Sequence, residues 1–184
     1  MAMGSDDERA AAFGRIYDAH YAAIAAYARR RLDPLDAEDL VAETFLVTWR
    51  RLADVPAGNE ALPWLYGVAR RILSQRRRGA RRWDRLVTRI ASVRRPEDEI
   101  AMPPEDPEGR DAVLGALAGL RPQDQELLRL SEWEELGHAE LARVLGCSTN
   151  AVAIRLHRAH RRFRQALEAA PDDIVGATEP KGPR

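Results

Sequence analysis

The stretch HAELARVLGCSTNAVAIRLHRAHRR, residues 138–162, decides how the second half of the chain folds. Leu141, Ala142, Leu145, Gly146, Cys147 and Val152 stand at the positions a helix-turn-helix requires. Leu141 and Leu145 point inward, and Ala142 is small where the two helices cross. Gly146 supplies a left-handed turn, Cys147 plugs the corner and Val152 anchors the second helix. Arg155 takes a usually apolar position, with Leu156 in the inward role one residue later. Ser148 or Thr149 suits the N-cap of the second helix. Along that helix Val152, Leu156, Ala159 and Phe163 share one face. The opposite face carries Asn150, Ile154, His157 and Arg161, flanked by Arg158 and Arg164. Arginine suits phosphates and guanine edges, and asparagine suits adenine edges, so this face fits a DNA major groove. The plainer alternative is the solvated face of a helical hairpin. Cys147 in a plug position reads as a small core residue rather than a redox thiol, and no further Cys/His pair joins His157 and His160 in a metal site.

Charge supports the same direction once it is located. The 184 residues hold 29 basic and 29 acidic side chains, a formal balance of zero that on its face argues against a nucleic-acid partner. Every basic residue but Lys181 is arginine, and the arginines cluster. Arg70 to Arg95 contains eleven of them against Asp84 alone, and residues 150–165 contain five with no acid. Pro96 to Asp111 holds seven acids against Arg110. Neutrality is therefore a sum of opposed segments, and guanidinium groups suit bidentate phosphate and base contacts. One cysteine excludes a disulfide framework. No apolar run approaches membrane-spanning length, and the acidic, Ala-rich start lacks a signal-peptide pattern, so a cytoplasmic protein without membrane insertion is expected.

Strand-like alternation is absent, and the chain reads as all-α. Phe13, Ile16, Tyr17, His20, Ile24, Tyr27, Ala28 and Arg31 follow the spacing of an amphipathic helix that Asp33-Pro34 ends. A second helix runs from near Asp36 to about Leu52, and Val55 to Asn59 breaks the pattern. A third begins around Pro63 and continues into the arginine run. Residues 91–110, with four prolines and most of the acid block, read as a flexible linker of low helicity. Residues 111–170 are again helical, and 171–184 read as a disordered tail. The expected organisation is two small helical domains, 10–90 and 111–170, joined by that linker.

Two surfaces of the first domain stand out. On the second helix Val41, Thr48 and Leu52, extended by Leu40, Thr44 and Phe45, form a core stripe. The other side holds Asp39, Ala42, Glu43, Leu46 and Trp49, either a docking face or a face covered by another helix of the same domain. The third helix buries Leu65, Val68, Ala69 and Ile72. It turns Gly67, Arg70, Arg71, Ser74, Arg77 and Arg78 outward, with Trp64 and Tyr66 near its start. Cations beside aromatic rings suit single-stranded DNA, and a basic face with core aromatics is the alternative.

Here the residues resemble a known family. Asp36 to Arg50 (DAEDLVAETFLVTWR) looks like the second conserved region of sigma-70-type RNA polymerase sigma factors of the extracytoplasmic-function (ECF) group. PWLYGVAR, residues 63–70, resembles the promoter-melting helix that follows. LRPQDQELL, residues 120–128, resembles the start of the fourth region, and GCSTNAVAIRLHRA, residues 146–159, its helix-turn-helix. The matches cover roughly residues 10–80 and 112–168, in order. The resemblance implies that the Asp39/Glu43 face, with Ala42, Leu46 and Trp49, docks on the clamp helices of core RNA polymerase, with a further contact at its flap region. The loop Val55 to Leu62, including Asn59, captures a flipped base of the minus-ten element. Trp64, Tyr66, Arg70, Arg71, Ser74, Arg77 and Arg78 hold the melted strand. Thr149, Asn150, Ile154, His157, Arg158 and Arg161 read the minus-thirty-five element. The acidic linker runs toward the RNA exit path, and an anti-sigma factor clamps both domains. Ala42 stands where many members have Gln, Arg71 where Asn is frequent, and Ala153 and Ile154 where Lys and Ser are commoner.

The implied function is promoter-directed initiation without catalysis, metal or cofactor. No phosphate-binding Gly loop or nucleophile–base pair is visible. Two rivals remain on the residues alone. One is a helix-turn-helix regulator that binds operators without docking on polymerase, and the other a helical adaptor whose basic patches bind acidic proteins.

Overall fold

The structure is a computed structural model that describes residues 6–87 and 107–169, with side chains over 6–78 and 112–169. The described residues form seven α-helices and two short 3-10 turns, with no strand among them. The acid-rich residues 96–106 and the tail 171–184 lie outside the described residues.

Helix α1 (Asp6–Arg29) starts ahead of the first periodic residue, with Asp6, Asp7 and Glu8 complementing its N-terminal dipole. Helix α2 (Pro34–Arg50) begins two residues before the expected Asp36. Asp33 is its N-cap, its carboxylate accepting from the Asp36 N–H at 3.0 Å, and Pro34 fills the first helical position where no N–H is needed. Two 3-10 turns (Leu52–Asp54 and Gly58–Glu60) carry the chain to α3 (Ala61–Val87). Gly58, at the start of the second turn, takes the left-handed conformation at φ 63°. Ile24, Tyr27 and Ala28 of α1, Leu40 and Phe45 of α2, and Leu65, Ala69 and Ile72 of α3 make the first core. The hydroxyls of Thr44 and Thr48 are satisfied by backbone carbonyls one turn earlier, which lets two polar side chains sit fully buried there.

The second bundle comprises α4 (Pro107–Ala118), α5 (Pro122–Glu132), α6 (His138–Leu145) and α7 (Thr149–Glu168). Helix α4 begins inside the stretch read as linker, with Pro107 at its first position. The α6–α7 pair is the expected helix-turn-helix. Gly146 is left-handed (φ 67°), a conformation in which a Cβ is strained. The Cys147 N–H bonds the Ala142 carbonyl, and Ser148 rather than Thr149 caps α7, accepting from the Ala151 N–H at 3.2 Å. Leu141, Val152, Leu156 and Ala159 are buried as the turn pattern requires. Arg162 of α7 pairs with the buried Asp124 of α5 at 2.9 Å, locking the second helix to its support.

The all-α fold and its helix-turn-helix thus follow the sequence. What separate domains did not include is that they pack together. Helix α6 lies on α3, and the apolar core runs on from one half to the other. Gly67 of α3 is buried because the backbone of Val144 in α6 comes to 3.8 Å from where a Cβ would stand. At the centre of the contact sits Arg31, whose side chain is fully buried. Its Nε donates to Glu126 (3.1 Å) and its Nη1 donates to Glu134 (2.7 Å) and to the Tyr27 carbonyl (3.0 Å). Its guanidinium lies over the Tyr27 ring at 3.7 Å, and the Tyr27 hydroxyl donates to the other Glu126 oxygen at 2.9 Å. Arg30 donates to Glu134 (2.6 Å) from the rim. At the far edge Arg143 of α6 pairs with Glu60 at 2.6 Å, both half-exposed.

Burial disfavours the Arg31 cation, but Glu126, the neighbouring Tyr27 and Glu134 outweigh that cost, and its pKa rises above the ordinary arginine value. Burial first, and then Glu126, push the Tyr27 phenol well up. Tyr66, packed 5.5 Å from the Tyr27 ring, is raised to about 12 by burial and by Glu134, against the lowering effect of Arg30 and Arg31.

Three tests follow, one of them on an exposed pair away from this contact. Removing one partner of a buried ion pair leaves its carboxylates unmatched, which typically costs about 3–5 kcal/mol. Tyr27 still serves Glu126 and Arg30 still serves Glu134, so Arg31→Ala is expected at the lower end, about 3 kcal/mol in urea unfolding. Arg51→Ala, which breaks the exposed Arg51–Asp54 pair, is expected to change stability by under about 1 kcal/mol. A raised tyrosine pKa means that the folded state keeps a proton the unfolded state has released. The Tyr66 contribution is therefore complete below pH 10 and declines as pH rises toward 12. Ultraviolet phenolate titration of wild type should show a step near pH 12 that Tyr66→Phe lacks.

Candidate nucleic-acid and docking interfaces

Helix α7 presents one clean outward face. Asn150, Ile154, His157, Arg158, Arg161 and Arg164 are all exposed, while Val152, Leu156 and Ala159 on the reverse side are buried against α4, α5 and α6. The helix holds no acid before Glu168, so its N-terminal three turns are uniformly cationic or neutral. Thr149 is exposed at its first position. Every residue read as facing the minus-thirty-five element therefore lies on one accessible surface. His160 is turned aside, 3.3 Å from Glu132 of α5. Among the described residues no group of three or more His, Cys, Asp or Glu side chains is arranged to hold a metal.

The α2 face divides. Asp39, Ala42 and Leu46 are exposed, with Leu46 at 47%, and Leu35 extends the stripe one turn back. Glu43 is half-exposed and accepts from Arg76 of α3 at 2.9 Å. Trp49 departs from the docking reading. Its ring stands edge-on to Phe13 of α1 at 5.3 Å, and the Arg9 guanidinium lies over it at 4.7 Å while donating to the Trp49 carbonyl. Periodicity left open whether another helix covered Leu46 and Trp49. Helix α1 covers the tryptophan and leaves the leucine in solvent.

The α3 face divides as well. Arg71 and Arg78 are exposed, and Arg70, Ser74 and Arg77 are half-buried. Asn59 is exposed in the turn ahead of the helix, and Trp64 is half-buried against the core. Tyr66 and Gly67, expected at the strand-binding surface, are buried instead. Tyr66 is only 3% exposed, packed against Tyr27, and Gly67 lies under α6. Gly67 is covered by the contact with α6, and Tyr66 turns inward onto Tyr27 of its own bundle.

Sequence reasoning missed the residues that make this contact, namely Tyr27, Arg31, Glu126 and Glu134, with Glu60 and Arg143 at the edge. A signal was present in α1. Arg31 continues the apolar series Ile24, Tyr27, Ala28, and a charged residue in a core stripe asks for a buried counter-charge. Nothing in a single sequence says that the counter-charge lies 95 positions away.

Comparison with known proteins agrees with this geometry. The sigma-70 region 2 family matches residues 16–83, which contain α2 and most of α1 and α3. The sigma-70 region 4 family matches residues 110–163, which contain the helix-turn-helix. The ECF RNA polymerase sigma factor SigL of Mycobacterium tuberculosis is 32% identical over 171 residues, covering 90% of this chain and 94% of SigL. The ECF sigma factor BldN of Streptomyces coelicolor is 32% identical over 168 residues, 88% of this chain but 61% of BldN's own length. In fold the chain resembles the sigma factor RpoE of Bartonella quintana, solved in complex with the anti-sigma factor NepR. That match has a TM-score of 0.60 and 19% identity, and covers 90% of this chain and 97% of RpoE. No described helix is long and apolar enough to cross a membrane. With both conserved regions present in order, and a relative of similar length matched almost end to end, the chain belongs to the ECF group of sigma-70-family sigma factors, proteins that direct RNA polymerase to promoters.

Proposed function

We propose that this chain docks on core RNA polymerase through Asp39, Ala42, Glu43 and Leu46 and places two DNA-reading surfaces on a promoter. Helix α7 reads the upstream element in the major groove. Asn59 and the exposed arginines of α3 engage the melted downstream strand. The observation that carries this reading is one chain presenting two outward faces of different chemistry. A regulator that only reads DNA has no use for a leucine stripe between carboxylates on α2, and an adaptor has no use for an acid-free Asn/Arg face on a helix-turn-helix. Melting then requires no catalytic step, because capture of an unstacked base compensates an unpairing cost of a few kcal/mol.

The clasp adds a condition. Elements centred near minus ten and minus thirty-five lie about 25 base pairs apart, or about 85 Å along B-form DNA. A compact chain of this length has a radius of gyration of about 16 Å and a diameter of about 40 Å. The closed arrangement is too small to engage both elements, and it covers Tyr66 and Gly67 besides. In the promoter-bound form α6 has left α3 and the Arg31 clasp is open. An anti-sigma partner, of the kind NepR is for the Bartonella sigma factor, acts on the same two halves.

Run-off transcription and binding assays with purified core polymerase test the assignment of the faces. Leu46→Glu is expected to weaken polymerase binding at least tenfold, since it places a charge at an apolar contact. Arg158→Ala should leave polymerase binding unchanged. Holoenzyme carrying it should lose affinity for the upstream element, with a salt dependence lower by about one counterion. Unaltered transcription by both variants contradicts the proposal.

A further inference from the structure

Ile154 is the feature of α7 that neither the packing nor the charge pattern accounts for. It is 44% exposed, one of few large apolar side chains left in solvent, and it sits in the middle of the DNA-facing surface. Asn150 lies one turn before it, and His157 and Arg158 lie one turn after, all exposed on the same side. The buried stripe of Val152, Leu156 and Ala159 faces away from it, so the core does not need it. A β-branched residue is also a poorer helix former than the polar residues that would serve an exposed site. Its stiffness is useful only in recognition. In a helix isoleucine holds essentially one χ1 rotamer, so its methyl groups project in a fixed direction and little entropy is lost on contact.

We infer that Ile154 is a specificity-determining residue that reads the C5-methyl group of a thymine in the upstream promoter element. This rests on the assignment of α7 to that element. In the major groove the thymine methyl is the one apolar group on a base edge, and apolar side chains read it. The placement is constrained by Asn150, whose amide suits the N6/N7 edge of adenine. One helical turn is about 5.4 Å, or about one and a half base-pair steps, so the thymine lies within one or two base pairs of the adenine opposite Asn150. An A·T pair next to that position, or the thymine of an adjacent pair on either strand, meets the requirement. Guanine or cytosine there leaves the isoleucine against a polar edge.

The experiment uses the full chain bound to core polymerase. A promoter library with a randomised upstream element is selected by run-off, and the enriched sequence is resynthesised with each thymine in turn replaced by deoxyuracil, which removes only the methyl. One thymine, within two base pairs of an enriched adenine, is expected to matter. Its replacement should weaken wild-type complexes about fourfold, the effect of one lost methyl contact. Ile154→Ala holoenzyme should bind the thymine and uracil promoters equally, at the level wild type shows on uracil. Ile154 is exposed, so the variant keeps its fold, and Asn150→Ala should instead lose discrimination at the adenine. Enrichment of an upstream element in which no uracil substitution affects wild type overturns the inference while leaving the role of α7 intact. The same holds if Ile154→Ala keeps the fourfold difference. If no upstream element is enriched at all, the assignment of α7 fails, and the inference with it.

Discussion

The two halves meet around Arg31, at the centre of a contact that also joins their apolar cores. Arg31 leaves water at the end of α1 and is received by Glu126 and Glu134, which belong to the other bundle, while Tyr27 stacks beneath it and bonds the same carboxylate. A buried charge network of this kind contributes little net stability compared with an apolar contact of equal size. Arg31, just past α1, meets Glu126 of α5 and Glu134 just past α5, and beside it α6 lies on α3, where the small Gly67 lets the backbones approach.

The consequences for function are directional. The contact covers one side of the first bundle and leaves the others open. Leu46 and Asp39 on α2 stay accessible, and so does the outward face of α7. What is closed off is the part of α3 around Tyr66 and Gly67, beside the turn that carries Asn59. The carboxylates and guanidiniums at the centre of the contact are well hydrated when parted, which offsets part of the cost of exposing the apolar core that runs between the halves.

Much of this was legible from sequence, for reasons tied to individual residues. Gly146, Val152 and the acid-free face of α7 are local features whose meaning lies within one helix-turn-helix, and the structure places each as the pattern requires. The stripe on α2 was legible too, but its edge was not, because periodicity shows that Trp49 shares a side with Leu46 and cannot show that Phe13 and Arg9 lie over it. Tyr66 turned inward onto Tyr27, and Gly67 went the wrong way for a related reason. An amphipathic helix in a single bundle has one inside, whereas α3 has two, and the second is supplied by residues some eighty positions later. The start of α4 at Pro107 was hidden by composition, since proline and acid mark a linker and a helix N-terminus alike.

On the proposed function, one chain alternates between a clasped form and a form long enough to span two promoter elements. Pulsed electron resonance distances between spin labels at Asp18→Cys and Gln165→Cys, in a Cys147→Ser background, measure this directly, because both sites are exposed and lie in opposite halves. The free chain should give one separation within about 40 Å, the span of the compact form. The complex with core polymerase and promoter, shown by run-off to be active, should shift beyond about 60 Å, toward the spacing of the two elements. An active complex that keeps the short separation would contradict the account.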